Sequence, residues 1–120
     1  MNETLYDIEG NPVAYIDYDK NGIIYMWNGT PVAYLHRNMA LYGFNGRHLG
    51  WYENGIVRDK NGRIVGYNKL SCPVMVKMES MKGMTKILPI KSIQEIPSIK
   101  PAYSSATSLE YLSQFLLRGL

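Results

Sequence analysis

The sequence predicts a mainly β protein: four β-hairpin repeats around a pseudo-fourfold axis, followed by an extended C-terminal arm and a short C-terminal helix. The first observation is a fourfold repeat anchored on Gly10, Gly29, Gly46 and Gly62, spaced by 19, 17 and 16 residues. Three positions after each anchor stands an aliphatic residue (Val13, Val32, Leu49, Val65), then a tiny one (Ala14, Ala33, Gly50, Gly66), then an aromatic (Tyr15, Tyr34, Trp51, Tyr67). Five positions before it the copies read Leu5, Ile24, Leu41 and Val57, and four before it Tyr6, Tyr25, Tyr42 and Arg58. Such register over four copies is the mark of a repeat architecture. The second observation is turn chemistry at each anchor, and the third is the loss of the repeat after Leu70.

Each repeat reads as two short alternating strands, as in Leu41–Phe44 and Pro31–Leu35, joined at Glu9-Gly10, Asn28-Gly29, Asn45-Gly46 and Asn61-Gly62. Asn-Gly suits the type I′ hairpin turn because both residues tolerate positive φ. Asn21-Gly22 and Asn54-Gly55 would turn the chain between hairpins, whereas the connection His36-Arg37-Asn38-Met39 lacks the glycine. Alternation sends the aliphatic and aromatic positions one way and the tiny residue the other. Tiny residues in all four copies imply a crowded axis, with larger side chains packing hairpin against hairpin further out. A meandering sheet or an eight-stranded barrel is the alternative, since barrels also place small residues where strands bend.

These residues resemble the four-fold β-flower family of small bacterial domains, in which four hairpins are arranged as petals about a pseudo-fourfold axis. The resemblance rests on a hydrophobic-Tyr pair, then Asn-Gly, then Val-Ala-Tyr, and covers residues 5 to 70. It implies the fold and no established activity, so no catalytic residue is carried over. The fourth copy departs from the pattern with Arg58 in place of tyrosine and Lys60 in place of Ile8, Trp27 or Phe44. One petal edge is therefore expected to be solvated or covered by the tail.

Residues 71 to 120 are expected to pack on the flower (1 to 70) as one domain. Pro73, Pro89, Pro97 and Pro101 exclude one long helix. Pro73–Met78 and Lys86–Ile90 read as short strands, and Ser92–Pro101 as an arm with Ile93, Ile96 and Ile99 as apolar footholds. Thr107-Ser108-Leu109-Glu110 forms a capping box, and Leu109, Leu112, Phe115 and Leu116 recur at helical spacing. A helix is expected over about 108 to 118.

A chain of 120 residues, 46% of them hydrophobic, can bury one core without disulfides. The single cysteine, Cys72, excludes an internal disulfide framework and fits a cytoplasmic setting. No signal peptide is expected from the first residues, and no stretch reaches membrane-spanning length, so no membrane partner is expected. The net charge of +3 sits in the tail: residues 1 to 70 carry seven acids and seven bases, residues 71 to 120 three acids and six bases. The bases are scattered, which disfavours nucleic acid.

Asp17, Asp19 and Asn21 match the opening of a calcium loop, but Asn28 stands where a bidentate glutamate belongs, and an inter-hairpin turn explains the same residues. Met75, Met78, Met81 and Met84 recur every third residue; with Cys72 they could hold Cu(I), and packing by an adaptable side chain is the simpler reading. No cofactor and no metal site is therefore assigned. Aromatic enrichment within the repeat points to a ligand or protein surface. The candidate ligand-binding residues are those where the copies disagree or the repeat phase breaks: Tyr18, Trp27, His36, His48, Tyr52 and Arg58. The functional expectation is a non-catalytic ligand-binding or protein-interaction module. The alternative is a small enzyme using His36 or His48 with a nearby carboxylate, and self-association through the tail is a further possibility.

Overall fold

The computed structural model describes residues 1–37 and 39–120; Asn38, in the second inter-repeat connection, lies outside the described residues. Eight strands run up and down in chain order: β1 (Asn2–Tyr6), β2 (Pro12–Asp17), β3 (Ile23–Met26), β4 (Pro31–His36), β5 (Ala40–Gly43), β6 (His48–Glu53), β7 (Ile56–Asp59) and β8 (Ile64–Tyr67). They close into an antiparallel barrel, sealed where Tyr6 of β1 pairs with Tyr67 of β8. The fourfold gathering of hairpins and the eight-stranded barrel, weighed as alternatives from the sequence, are one arrangement.

Cross-strand register explains the tiny residues. Leu5 pairs with Ala14, Ile24 with Ala33, Leu41 with Gly50 and Val57 with Gly66, so each hairpin sets one bulky aliphatic opposite one tiny residue. These side chains face the barrel interior and are fully buried there. A barrel of eight strands has room for little more than its own side chains. The alternate residues Tyr15, Tyr25, Tyr34, Tyr42 and Phe44 form a second buried cluster on the outer wall.

The petal tips correct the expected turn type. Gly10, Gly29, Gly46 and Gly62 have φ of +79° to +94°, but the residue before each does not share the positive φ. Each tip glycine instead donates to the carbonyl three residues back, as Gly29 N–H does to Met26 at 2.8 Å, while Met26 N–H donates to the carbonyl of Thr30, one residue past the glycine, at 2.8 Å. That is a type I turn closed by a left-handed glycine and a bulge. The paired positive φ of Asn-Gly occurs at Asn21-Gly22 and Asn54-Gly55, which lead from β2 to β3 and from β6 to β7 at the other end of the barrel.

The tail also departs from expectation. Pro73–Met78 and Lys86–Ile90 form no strands. The arm is extended chain that meets the four petal tips in turn. Lys77, Lys86, Glu95 and Ser104 donate their backbone N–H to the carbonyls of Gly10, Gly29, Gly46 and Gly62 at 2.9, 3.0, 2.8 and 3.2 Å. These donors are nine residues apart throughout, so the repeat does not end at Leu70; it continues with a shorter period. At the second and third tips Gly83 and Ser92 add a bond to the Trp27 and Phe44 carbonyls, both at 2.8 Å, but one or two bonds per tip at that spacing build no ladder and no strand forms.

Helix α1 spans Leu112–Leu117 and closes the tip end of the barrel, with Leu112, Phe115 and Leu116 buried in the inner cluster. It is shorter than the expected 108–118. The capping-box residues fasten the chain to β8 instead: Thr107 bridges Ile64, Ser108 N–H donates to the Ile64 carbonyl at 2.7 Å, and Ser108 Oγ accepts from Glu110 N–H at 3.1 Å. At the far end Asn45 Nδ2 donates to the carbonyls of Arg118 (2.7 Å) and Leu120 (3.0 Å), clamping the C-terminus to the third petal.

Replacing Ala33 with leucine places three more carbons opposite Ile24 in a filled interior. We expect a loss of about 1 to 3 kcal/mol, read from the urea midpoint; a near-neutral result contradicts the inward placement.

Candidate functional site

The arm has two sides, and they differ in chemistry. On its inner side it covers the aromatic wall with polar and cationic groups. Glu79 accepts from Thr4 Oγ1 and the Tyr6 hydroxyl, both at 2.9 Å. Lys82 lies over the Tyr15 ring at 4.3 Å and Lys91 over the Tyr34 ring at 4.0 Å, repeating the nine-residue register. Such cation–π contacts let a charged side chain of the arm cover the face of a ring. Gln94 Nε2 donates to the Tyr34 hydroxyl at 3.0 Å, and the Tyr42 hydroxyl donates to the Glu95 carbonyl at 3.1 Å.

On its outer side the arm carries Met75, Met78, Met81, Met84, Ile87, Ile90, Ile93, Ile96 and Ile99. Every third residue of this stretch is a large apolar side chain, and each is 90–96% exposed. Three is the period of an extended, polyproline-II-like chain, so one edge of the arm presents all nine. The isoleucines expected as footholds on the barrel, and the methionines expected to pack, point away from it. On the hydrophobic coefficient each such side chain contributes roughly 60 to 120 Å². Together they form a row of nine exposed apolar side chains at one spacing, rather than apolar residues scattered singly.

The residues picked out from sequence are distributed around this scaffold. Trp27 stacks edge-on to Tyr15 and donates Nε1–H to the Ser80 carbonyl of the arm at 3.3 Å. Arg58, the residue that replaces a petal tyrosine, donates from one nitrogen to the carbonyls of Gly62 (2.8 Å) and Ser104 (2.6 Å) and stacks on Tyr103 at 4.3 Å. The fourth petal edge is thus covered by the tail, one of the two outcomes expected of it. His36 approaches Gln94 Nε2 at 3.3 Å and the edge of Tyr42.

His48 is fully buried between Tyr42 and Trp51. Its Nδ1 accepts from Ser98 N–H at 3.1 Å, and its own N–H donates to Glu95 Oε1 at 2.7 Å. Its Nε2 has no hydrogen-bond partner. Burial pushes the imidazole pKa down, the Gly50 carbonyl acting the other way. The backbone N–H of His48, then Lys60, holds the Glu95 carboxyl below the usual range.

Tyr18 and Tyr52 meet at the end opposite the tips, around Glu3. The Tyr18 hydroxyl donates to Glu3 Oε1 at 2.5 Å, and Asn68 Nδ2 donates to Glu3 Oε2 at 3.0 Å. Burial, and then the Glu3 charge, raises the pKa of both tyrosines. The Tyr52 hydroxyl is buried without a partner. Asp17 caps a one-turn 3-10 helix at Tyr18–Lys20, Asp19 pairs with the N-terminus, and Asn21 takes the left-handed conformation. These three build an inter-hairpin turn. Among the described residues no group of three or more His, Cys, Asp or Glu is placed to hold a metal ion.

One cleft of about 450 Å³ opens between the third and fourth petal tips and α1. Arg47, Lys60, Arg63 and Arg118 line it, with Asp59 and Glu110. Lys60 pairs with Glu95 at 3.4 Å and Arg118 with Glu110 at 2.7 Å.

The sequence matches the model of the 4-fold beta flower protein family over residues 3–116. The chain belongs to that family. The match extends through the arm to the helix, well past the 5 to 70 region that carries the visible motif, so the arm is part of the family's pattern. No curated protein and no solved structure matches the chain. Among the described residues of this β-flower no helix is long and apolar enough to cross a membrane.

The buried His48 makes an acid-stability prediction. Its folded pKa lies below the unfolded value, so the unfolded state binds the proton first and stability falls as pH drops below about 6.5. The Tm of the wild type should decline over that range. His48→Asn, which keeps an acceptor for Ser98, should flatten the decline above the range in which Glu95 titrates; an unchanged pH profile excludes His48 as its source.

Proposed function

We propose that this β-flower is a non-catalytic interaction module of the bacterial cytoplasm, in which the barrel is scaffold and the arm is the contact surface. The observation that carries this reading is the outward ridge of nine apolar side chains. Exposing so much apolar surface is costly in water, and a rim of this kind marks an interaction site in a soluble protein. The inner aromatics, which the sequence offers as a contact surface, have a different use, because the arm lies over them.

The competing enzyme reading requires His36 or His48 beside a free carboxylate or thiol. His48 Nδ1 is engaged by a backbone N–H, and the carboxylate nearest it in the hydrogen-bond network, Glu95, accepts from the His48 backbone rather than the ring. The cleft lined by Arg47, Lys60, Arg63 and Arg118 favours a second form of the module, one that takes a small anionic ligand, since its volume is within the range of ligand sites.

In-cell photo-crosslinking tests the main reading. A benzophenone side chain at Ile87 should give adducts with another molecule, protein or lipid, that the same group at the exposed tip residue Glu9 does not give. Absence of adducts specific to the arm ends this reading.

A further inference from the structure

We infer that the cleft between the third and fourth petal tips takes the phosphate group of a small phosphate monoester. This rests on the second form of the module, in which the cleft holds an anionic ligand, and adds the chemical class of that ligand; it is independent of what meets the arm.

The first observation is where the arginines stand. The chain has five, and three of them, Arg47, Arg63 and Arg118, line this one cleft. Two come from the same place in the repeat, since the residue after the tip glycine reads Asn11, Thr30, Arg47 and Arg63. In the first two petals that residue serves the fold: Asn11 Nδ2 donates to Asp7 Oδ2 at 3.0 Å, and Thr30 Oγ1 accepts from Lys86 Nζ at 3.0 Å. Arg47 and Arg63 have no salt-bridge partner among the described residues. The turn itself therefore needs no arginine there, and the two copies that carry one are the two that border the cleft.

The second observation is how the remaining charges are committed. Lys60 is held by Glu95 at 3.4 Å, and Arg118 Nε by Glu110 at 2.7 Å. Asp59, the other lining acid, turns its Oδ1 onto the backbone N–H groups of Asn61 (2.9 Å) and Arg63 (3.0 Å). Two guanidiniums thus stand against one carboxylate, and the cleft keeps an excess of positive charge.

The kind of anion follows from the donors. A guanidinium presents its N–H groups as a rigid fork, and one fork already serves both oxygens of a carboxylate. Two forks suit a group with three terminal oxygens and more than one negative charge, which is a phosphate monoester. The volume of about 450 Å³ leaves room for an organic part beyond the phosphate, and Leu49, Leu109 and Phe115 give that part an apolar wall. Because the walls come from two petal tips and from the chain on both sides of α1, an occupant ties the C-terminal segment to the barrel and stabilises the fold.

The test is calorimetric titration of the full chain with phenyl phosphate, inorganic phosphate and succinate at matched ionic strength. Phenyl phosphate is expected to bind and to raise the Tm, inorganic phosphate to bind more weakly for want of the apolar part, and succinate to bind at least about tenfold more weakly than phenyl phosphate. Arg47 and Arg63 are exposed, so Arg47→Gln with Arg63→Gln should melt like the unliganded wild type and bind phenyl phosphate at least about tenfold more weakly. The double lysine variant at the same positions, which keeps both charges and loses both forks, should fall between the two, and Lys69→Gln, away from the cleft, should bind as the wild type does. A wild type that binds neither phosphate overturns the inference, as does a double glutamine variant that binds phenyl phosphate as well as the wild type. Succinate that binds as tightly as phenyl phosphate, or in its place, overturns the phosphate class and leaves the anionic-ligand form of the module standing; binding of none of the three sinks both.

Discussion

Everything in this fold depends on the limited volume around the barrel axis. Four hairpins converge there, and in one layer of the interior each sets a single bulky side chain opposite a residue that brings almost none. The pairs Leu5 with Ala14, Ile24 with Ala33, Leu41 with Gly50 and Val57 with Gly66 meet that limit in four slightly different ways. Where the tiny residue is glycine the space is used by something else. A Cβ on Gly50 would run into the Arg58 carbonyl of the next petal, and one on Gly66 would meet Leu112 of the helix at 2.9 Å. The Tyr6 carbonyl of the first petal stands nearer still, at 2.8 Å, so glycine in the fourth petal admits both the barrel's closing strand and the plug formed by α1.

Filling the interior with small residues forces the large ones outward. An up-and-down barrel with Tyr15, Tyr25, Tyr34, Tyr42 and Phe44 on its outer wall would expose a band of aromatic surface that water disfavours. The arm resolves this, and geometry sets its period. Nine residues of extended chain reach roughly 28 Å, which is about a quarter of the perimeter of a disc of this size. One arm segment per petal follows, with one hydrogen bond to each tip carbonyl and a lysine over the ring behind it at Tyr15 and Tyr34. The left-handed tip glycines serve both structures. They close the turn, and because they lack a Cβ they let the arm backbone approach; a side chain on Gly29 or Gly46 would collide with the carbonyl of Met84 or Ile93.

That double role explains what was legible in the sequence. The petals were, because their repeat combines glycine, a tiny residue and an aromatic at fixed offsets, each dictated by backbone geometry or volume. The arm's repeat was harder to see, since its register is held by backbone N–H groups that any residue but proline supplies. Lys82, Lys91 and Lys100, or Lys77 and Lys86, were its available signal, and the prolines suggested irregularity instead. Pro101 stands where Gly83 and Ser92 donate to the carbonyls of Trp27 and Phe44, so the fourth segment omits that bond. The tip turns were misassigned because Asn-Gly fits both a type I′ turn and the last two residues of a bulged three-residue loop; the pairing register, set by the barrel, decides between them. The helix boundary shifted because Thr107 and Ser108 are equally good at capping a helix and at bonding a strand edge, and Ile64 offered the edge.

The candidate residues divide by the same logic. Trp27, Arg58 and His48 differ between copies because they hold the arm at positions where the petals differ, which is a structural cause for a break in repetition. The ridge, by contrast, has no structural cause. The inner side of the arm must match the petals and therefore varies, with glutamate, lysine, glutamine and serine at successive contacts. Its outer side is solvated, and a solvated edge with no packing to satisfy has no need of apolar residues. Instead it keeps methionine or isoleucine at nine consecutive third positions, the two classes meeting between Met84 and Ile87. Packing within the chain does not account for side chains that are 90–96% exposed, and the nine together make one edge of the arm apolar along its whole length.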